Sequence, residues 1–177
     1  MIVGNRPLNL HPYKVATQHS SIAKKVKQGF KESNERLEFL GDAVLGLVVA
    51  DYVFKKYPFK DEGFLTETRS RIVSRDSLNM VGRKIGVEQI VKFDVKRKTP
   101  NSHKSLFGNT LEALIGAVYV DRGFQKAEQF IVKKLLIPHF DIDEIISTTK
   151  NYKSKLIEWT QKQSKTIDFV HIETIEK

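Results

Sequence analysis

Cysteine is absent from this 177-residue chain. That excludes disulfides and thiolate metal sites, and it suits a reducing compartment. No apolar run approaches the length needed to span a bilayer, and the N-terminus has no signal-peptide core. A soluble, cytoplasmic protein with no membrane partner is therefore expected. Internal repeats and low-complexity tracts are also missing. Acidic residues are in deficit, 21 against 30 Lys and Arg, for a net charge of +9. Such an excess suits a polyanionic partner, phosphate backbones being the usual one. Hydrophobic residues, at 40%, are enough for a core, and the length suits one domain plus a fragment.

The most informative stretch is Asn34 to Tyr57, which reads as one long helix. Its apolar residues, from Leu37 through Phe54, occupy every side of the helical wheel. A helix of that kind belongs in the centre of a bundle or against a second chain. Yet Glu35, Glu38 and Asp42 share one face of its first half, by their three- and four-residue spacing. Carboxylates in apolar surroundings are costly unless paired, protonated or holding a cation.

Along the chain, Leu8 to Ser21 reads as a short helix with a polar stop, and His19 as a structural hydrogen-bonding group near its end. Residues 23–33 are basic and loop-like. Pro58 and the Lys60–Gly63 turn separate the central helix from a second, TETRSRIVSRDSLNMVGRKIG, with Thr66 as its N-cap and Gly86 as its end. Arg69, Arg71, Arg75 and Arg83 lie off its apolar face. Residues 91–105 suggest an extended loop. Leu106 to Asp121 is another strongly apolar helix. Phe124 to Ile137 is amphipathic, closed by Pro138, and a short helix and linker follow from Asp141. From Lys150 the character changes to an amphipathic helix, Tyr152 to Gln163, and an alternating strand, Ile167 to Ile175. One helix and one strand cannot bury a core of their own.

The second apolar helix repeats the anomaly of the first, because Asn109 and Glu112 share one face. Two such helices crossing would gather Glu38, Asp42, Asn109 and Glu112. Oxygen ligands without His or Cys suit Mg²⁺ or Mn²⁺ and not zinc. Such ions lower the pKa of a bound water and stabilise a leaving oxygen, which suits phosphodiester hydrolysis. Plainer explanations stand beside this one. Glu35 and Glu38 also suit a helix N-terminus through the macrodipole, and Asn109 with Glu112 matches an N-cap and its capping-box acid. Asp42, two turns into its helix, fits no cap.

Glu35-Arg36-Leu37-Glu38-Phe39-Leu40-Gly41-Asp42-Ala43-Val44-Leu45 resembles the signature stretch of the ribonuclease III family. The likeness continues through Glu62-Gly63-Phe64-Leu65-Thr66 and Leu111 to Tyr119, and covers about residues 8 to 140. Lys153 to Lys177 resembles the first helix and strand of a double-stranded RNA-binding domain. The resemblance implies an all-α endonuclease domain over residues 1–147, followed over 148–177 by the start of an α/β RNA-binding domain. It implies a homodimer that hydrolyses double-stranded RNA with Mg²⁺, or Mn²⁺ in its place, in the processing of rRNA and mRNA precursors. Glu38, Asp42, Asn109 and Glu112 are similar to its metal-binding set, with Asp42 and Glu112 catalytic. Glu35 and Glu62 resemble secondary acids of its substrate valley, and Phe39 an apolar residue inserted into the partner subunit. Arg69, Arg71 and Lys104 are candidate RNA contacts.

One departure from that pattern is Asn109, where most of the family has Asp. An amide oxygen still ligates a hard cation but adds no charge. Two outcomes follow: an active enzyme, or an impaired RNA-binding relative. A helical dimerisation domain whose acids serve only as caps is a third.

Overall fold

The computed structural model describes residues 2–4, 6–23, 31–94, 105–147 and 152–170. Two units divide the chain, Met1–Ile145 and Ile146–Lys177. The helices, in order, are α1 (His11–Ala16), α2 (Glu35–Lys56), α3 (Glu62–Ile72), α4 (Arg75–Lys84), α5 (Leu106–Arg122), α6 (Phe124–Phe130), α7 (Ile137–His139), α8 (Ile142–Ser147) and α9 (Tyr152–Lys162). The all-α expectation holds, and an isolated parallel bridge joins Gln18 to Lys92.

α2 and α5 form the most extensive helix pair, with α1, α4 and α6 packed around α5. Both central helices are built from the strongly apolar stretches noted above. α5 is covered along nearly its whole length, with Leu111, Ala113, Ile115 and Ala117 sealed from solvent. α2 buries Val44, Leu45, Val48, Val49 and Val53. Its other face stays open: Phe39 is 81% exposed, Leu47 58% and Phe54 66%. The residues around the α2 wheel thus divide between the core and an uncovered apolar face.

The α2–α5 crossing is closer than ordinary side chains allow. A Cβ on Gly41 would lie 1.8 Å from the Glu112 carbonyl oxygen, and one on Gly116 would lie 2.2 Å from that of Leu37. Both distances are far inside van der Waals contact, so glycine at these two positions is what lets the backbones meet.

Four local expectations are corrected. The second basic helix is two helices, broken at Val73–Ser74. Thr66 is not an N-cap: Asp61 caps α3 by accepting from the Phe64 N–H, and Ser74 caps α4 by accepting from the Ser77 N–H. Thr66 instead donates its hydroxyl to Glu62, one turn earlier. Both true caps have extended backbone, the geometry in which a short polar side chain reaches the first free N–H groups. Pro138 does not close its helix but lies within α7. The chain reaches it through a wider π turn, Ile131–Leu136, in which the Ile137 N–H donates to the carbonyl of Val132, five residues back. Proline has no N–H for an ordinary helical bond, and the changed register absorbs that loss. Finally, residues 165–170 form no strand. A lone strand without neighbours has no ladder to join. The remainder of the expected strand, 171–175, lies outside the described residues, as do most of the 23–33 loop and residues 95–104.

His19 fulfils its structural expectation. Its Nδ1 accepts from the Ser21 N–H at 3.2 Å and caps a single 3₁₀ turn, Ser20–Ile22.

Candidate functional site

The acidic residues of α2 and α5 meet on one side of the glycine crossing. Glu38, Asn109 and Glu112 line a cavity of about 260 Å³ together with Val73, Arg75, Leu78 and Gly108. Asp42 is exposed one turn along α2 from Glu38, outside that lining, but its charge acts on both Glu38 and Glu112. The four residues expected as a metal set are therefore neighbours.

The electrostatics show what this gathering costs. Burial raises Glu112 from the ordinary 4.5 to about 7, with further push from Asp42 and Glu38 and an opposing pull from Arg75. Glu38 is also raised, first by burial and then by Glu35. The Asn109 amide, a hydrogen-bond partner of Glu38, works in the opposite direction and favours its charged form, as does Arg75. Like charges crowded into a half-buried space carry an unmet demand for a cation.

The structure removes the capping explanation for α5 but leaves the macrodipole explanation for α2, whose first turn holds both Glu35 and Glu38. Asn109 is not an N-cap. The helix begins at Leu106 after Ser105, whose side chain makes no cap hydrogen bond. Part of the missing cap comes from α4, where Asn79 Oδ1 accepts from the Gly108 N–H at 2.8 Å. Asn109 and Glu112 thus lie one and two turns inside α5, where no capping duty explains them. Glu35 does sit in the first turn of α2, exposed, accepting from the Ser33 hydroxyl at 2.9 Å. The macrodipole is a sufficient reason for Glu35.

An all-oxygen donor set with three carboxylates and one amide fits a hard divalent ion in chemistry. The side chains as placed are not drawn into a closed cage. Among the described residues no group of three or more His, Cys, Asp and Glu converges tightly enough to hold an ion by itself. Hard ions commonly keep several waters and complete their shell with substrate phosphate, which suits an open site of this kind.

The other sequence candidates lie elsewhere. Glu62 is exposed in the first turn of α3 and accepts from Thr66 at 2.8 Å, with no place in the cavity lining. Arg71 joins Glu67, on its own helix, to the backbone carbonyl of Ile145. Arg69 is exposed beside Leu47 and Phe54 on an apolar groove. Lys104 lies outside the described residues. Of the four arginines expected off the apolar face of this segment, Arg75 is the one that lines the cavity. Its signal was the Ser74 cap, since a helix starting at Arg75 turns this side chain toward α5.

Comparison with known proteins now bears on this geometry. The family described as Ribonuclease-III-like matches residues 12–139. The chain belongs to the ribonuclease III family. This family member is 42% identical over 172 residues to the protein named Ribonuclease 3 of Azobacteroides pseudotrichonymphae genomovar. CFP2, an alignment covering 97% of the chain and 65% of that relative. It is equally similar to Ribonuclease 3 of Bacteroides fragilis, of which it covers 59%. The chain thus spans about three-fifths of the length of these relatives. Among solved structures it resembles the nuclease domain of ribonuclease III from Campylobacter jejuni, with a TM-score of 0.66 and 29% identity. That likeness covers 75% of this chain and 90% of the other, whose published description concerns flexibility in a region involved in dimer formation.

Proposed function

We propose that this ribonuclease III family member is a divalent-metal-dependent endoribonuclease that hydrolyses phosphodiester bonds in double-stranded RNA, in the processing of rRNA and mRNA precursors in the cytoplasm. The observation that carries the reading is the meeting of Glu38, Asp42, Asn109 and Glu112 beside the α2–α5 crossing. Glu38, Glu112 and the Asn109 amide oxygen would hold Mg²⁺ or Mn²⁺, with Asp42 completing the set directly or through water. The ion, when bound, supplies charge stabilisation at the phosphate and activation of water.

The chain's own residues do the rest. Asn109 favours the charged, ligating form of Glu38 against the burial that raises it, so the amide has a defined task even without a charge of its own. Glu112, raised to about 7 and so about half protonated at neutrality when the site is empty of cations, must release that proton before it ligates, which ties binding to pH. The glycine crossing sets the distance between the two acid-bearing helices. A net charge of +9 supplies long-range attraction for the polyanion, with little sequence preference.

The reading includes a homodimer. α2 exposes Phe39, and its Leu47 and Phe54 line a groove with Ala50, Asp51, Leu65, Thr66 and Arg69. A second copy covering this face would bury those side chains and place two acidic sites on one assembly. No helix among the described residues is long and apolar enough to cross a membrane.

Cleavage of a long RNA duplex in Mg²⁺, lost in Glu112→Gln, is the expected result. Retained duplex binding without cleavage at any Mg²⁺ or Mn²⁺ concentration would reject catalysis and leave an RNA-binding relative.

A further inference from the structure

Arg75 stands where an inert site would have no use for it. It is the first residue of α4, is exposed, and lines the same cavity as Glu38, Asn109 and Glu112. Its charge acts on both glutamates. Among the described residues, however, no ion pair within 4 Å engages it. A guanidinium held over acids by their field, without being consumed by a close pair, keeps its donors available.

Charge arithmetic indicates the ligand. Glu38, Asp42 and Glu112 contribute three negative charges when ionised and Arg75 one positive. A divalent cation among the carboxylates leaves them one net negative charge in place of three, so the field that holds the guanidinium falls to about a third. Arg75 is then held less strongly by the acids, and its donors are open to an anion in the cavity. The Ser74-capped start of α4, with Val73 and Arg75 both on the cavity wall, adds the positive end of a ten-residue helix. Asp76, next along α4, does not line the cavity.

We propose that Arg75 binds a non-bridging phosphate oxygen of the RNA backbone at the acidic cavity. The proposal rests on the nuclease reading above and adds to it a substrate-binding residue from a third helix. Arginine suits the task because its planar fork presents two parallel donors to a phosphate, whereas lysine offers a point charge.

The experiment compares wild type, Arg75→Gln and Arg75→Lys. Affinity for a blunt RNA duplex is measured by fluorescence anisotropy with Ca²⁺ in place of Mg²⁺, across a salt series. Mn²⁺ binding without RNA is followed by calorimetry, and duplex cleavage in Mg²⁺ in parallel. Arg75→Gln is expected to weaken duplex binding about five- to tenfold and lower the log–log salt slope by about one. Arg75→Lys should restore the slope but only part of the affinity, and Mn²⁺ affinity should be unchanged or tighter in both variants. Because Arg75 is exposed, thermal unfolding of the variants should match wild type.

Unchanged duplex affinity and slope in Arg75→Gln would overturn the proposal while leaving the nuclease reading intact. So would parallel loss of Mn²⁺ and duplex binding, which would make Arg75 a support for the acids. Absence of cleavage by wild type, with the Arg75 effect on binding still present, would sink the nuclease reading alone. No duplex binding by wild type would sink both.

Discussion

Glutamine at position 112 should make the metal-free protein more stable, increasingly so as the pH rises from about 4.5 to 7. In the folded state burial, Asp42 and Glu38 raise Glu112 from 4.5 to about 7. A carboxyl whose folded pKa exceeds its unfolded value favours folding while protonated. The penalty is therefore absent below about pH 4.5, grows between there and 7, and is complete above 7. At about 1.4 kcal/mol per pH unit, the ceiling is roughly 3 kcal/mol. The side chain is only partly buried, and screening by water reduces this to about 1–2 kcal/mol. For a chain of this length the expected gain is roughly 2–8 °C in Tm at pH 8, and about a quarter of that at pH 5. Thermal unfolding by circular dichroism in EDTA, at both pH values, makes the measurement. A gain of the same size at pH 5 and pH 8 would show that the substitution acts through packing or propensity, not charge. A loss at pH 8 would refute the electrostatic account outright. Saturating Mg²⁺ should then stabilise wild type more than the variant, reversing the order seen in EDTA.

Three further outcomes are expected. Gly41→Ala should destabilise by about 1–3 kcal/mol or more, since its methyl would meet the Glu112 carbonyl at the crossing, and urea denaturation reads this directly. Asn109→Asp should lower the Tm in EDTA, because an amide that favours ionised Glu38 becomes a third neighbouring charge. The same variant should bind Mn²⁺ more tightly by calorimetry, and looser binding would contradict the assignment of residue 109 to the ligand set. Phe39→Glu, at a side chain 81% exposed, should leave the fold of the single chain unaltered and convert a dimer to a monomer in light scattering after gel filtration. An unchanged mass would place any dimer contact elsewhere.

The amino-acid order alone determined a good deal. Period and composition marked α2 to within a residue at each end and α5 to within one, because long apolar helices with few breakers leave little alternative. The spacing of Glu38 with Asp42 and of Asn109 with Glu112 put each pair on one helix face before any tertiary contact was known. Several features were not legible. The break at Val73–Ser74 was hidden because Ile72, Val73 and Leu78 continue a helical period across it, and the cap that ends the run is a single serine. Arg75 was one of four arginines suited equally to a solvated face or a phosphate contact until that break aimed it into the cavity. Arg71 carried the same signal as Arg69 and turned out to join Glu67 to the Ile145 carbonyl. Sequence spacing reports which residues share a face of one helix, since that depends only on the 3.6-residue turn. Which faces meet depends on the contact of Gly41 with the Glu112 backbone and of Gly116 with that of Leu37. That crossing, set by the absence of two side chains, brought the acids together and could be decided only in three dimensions.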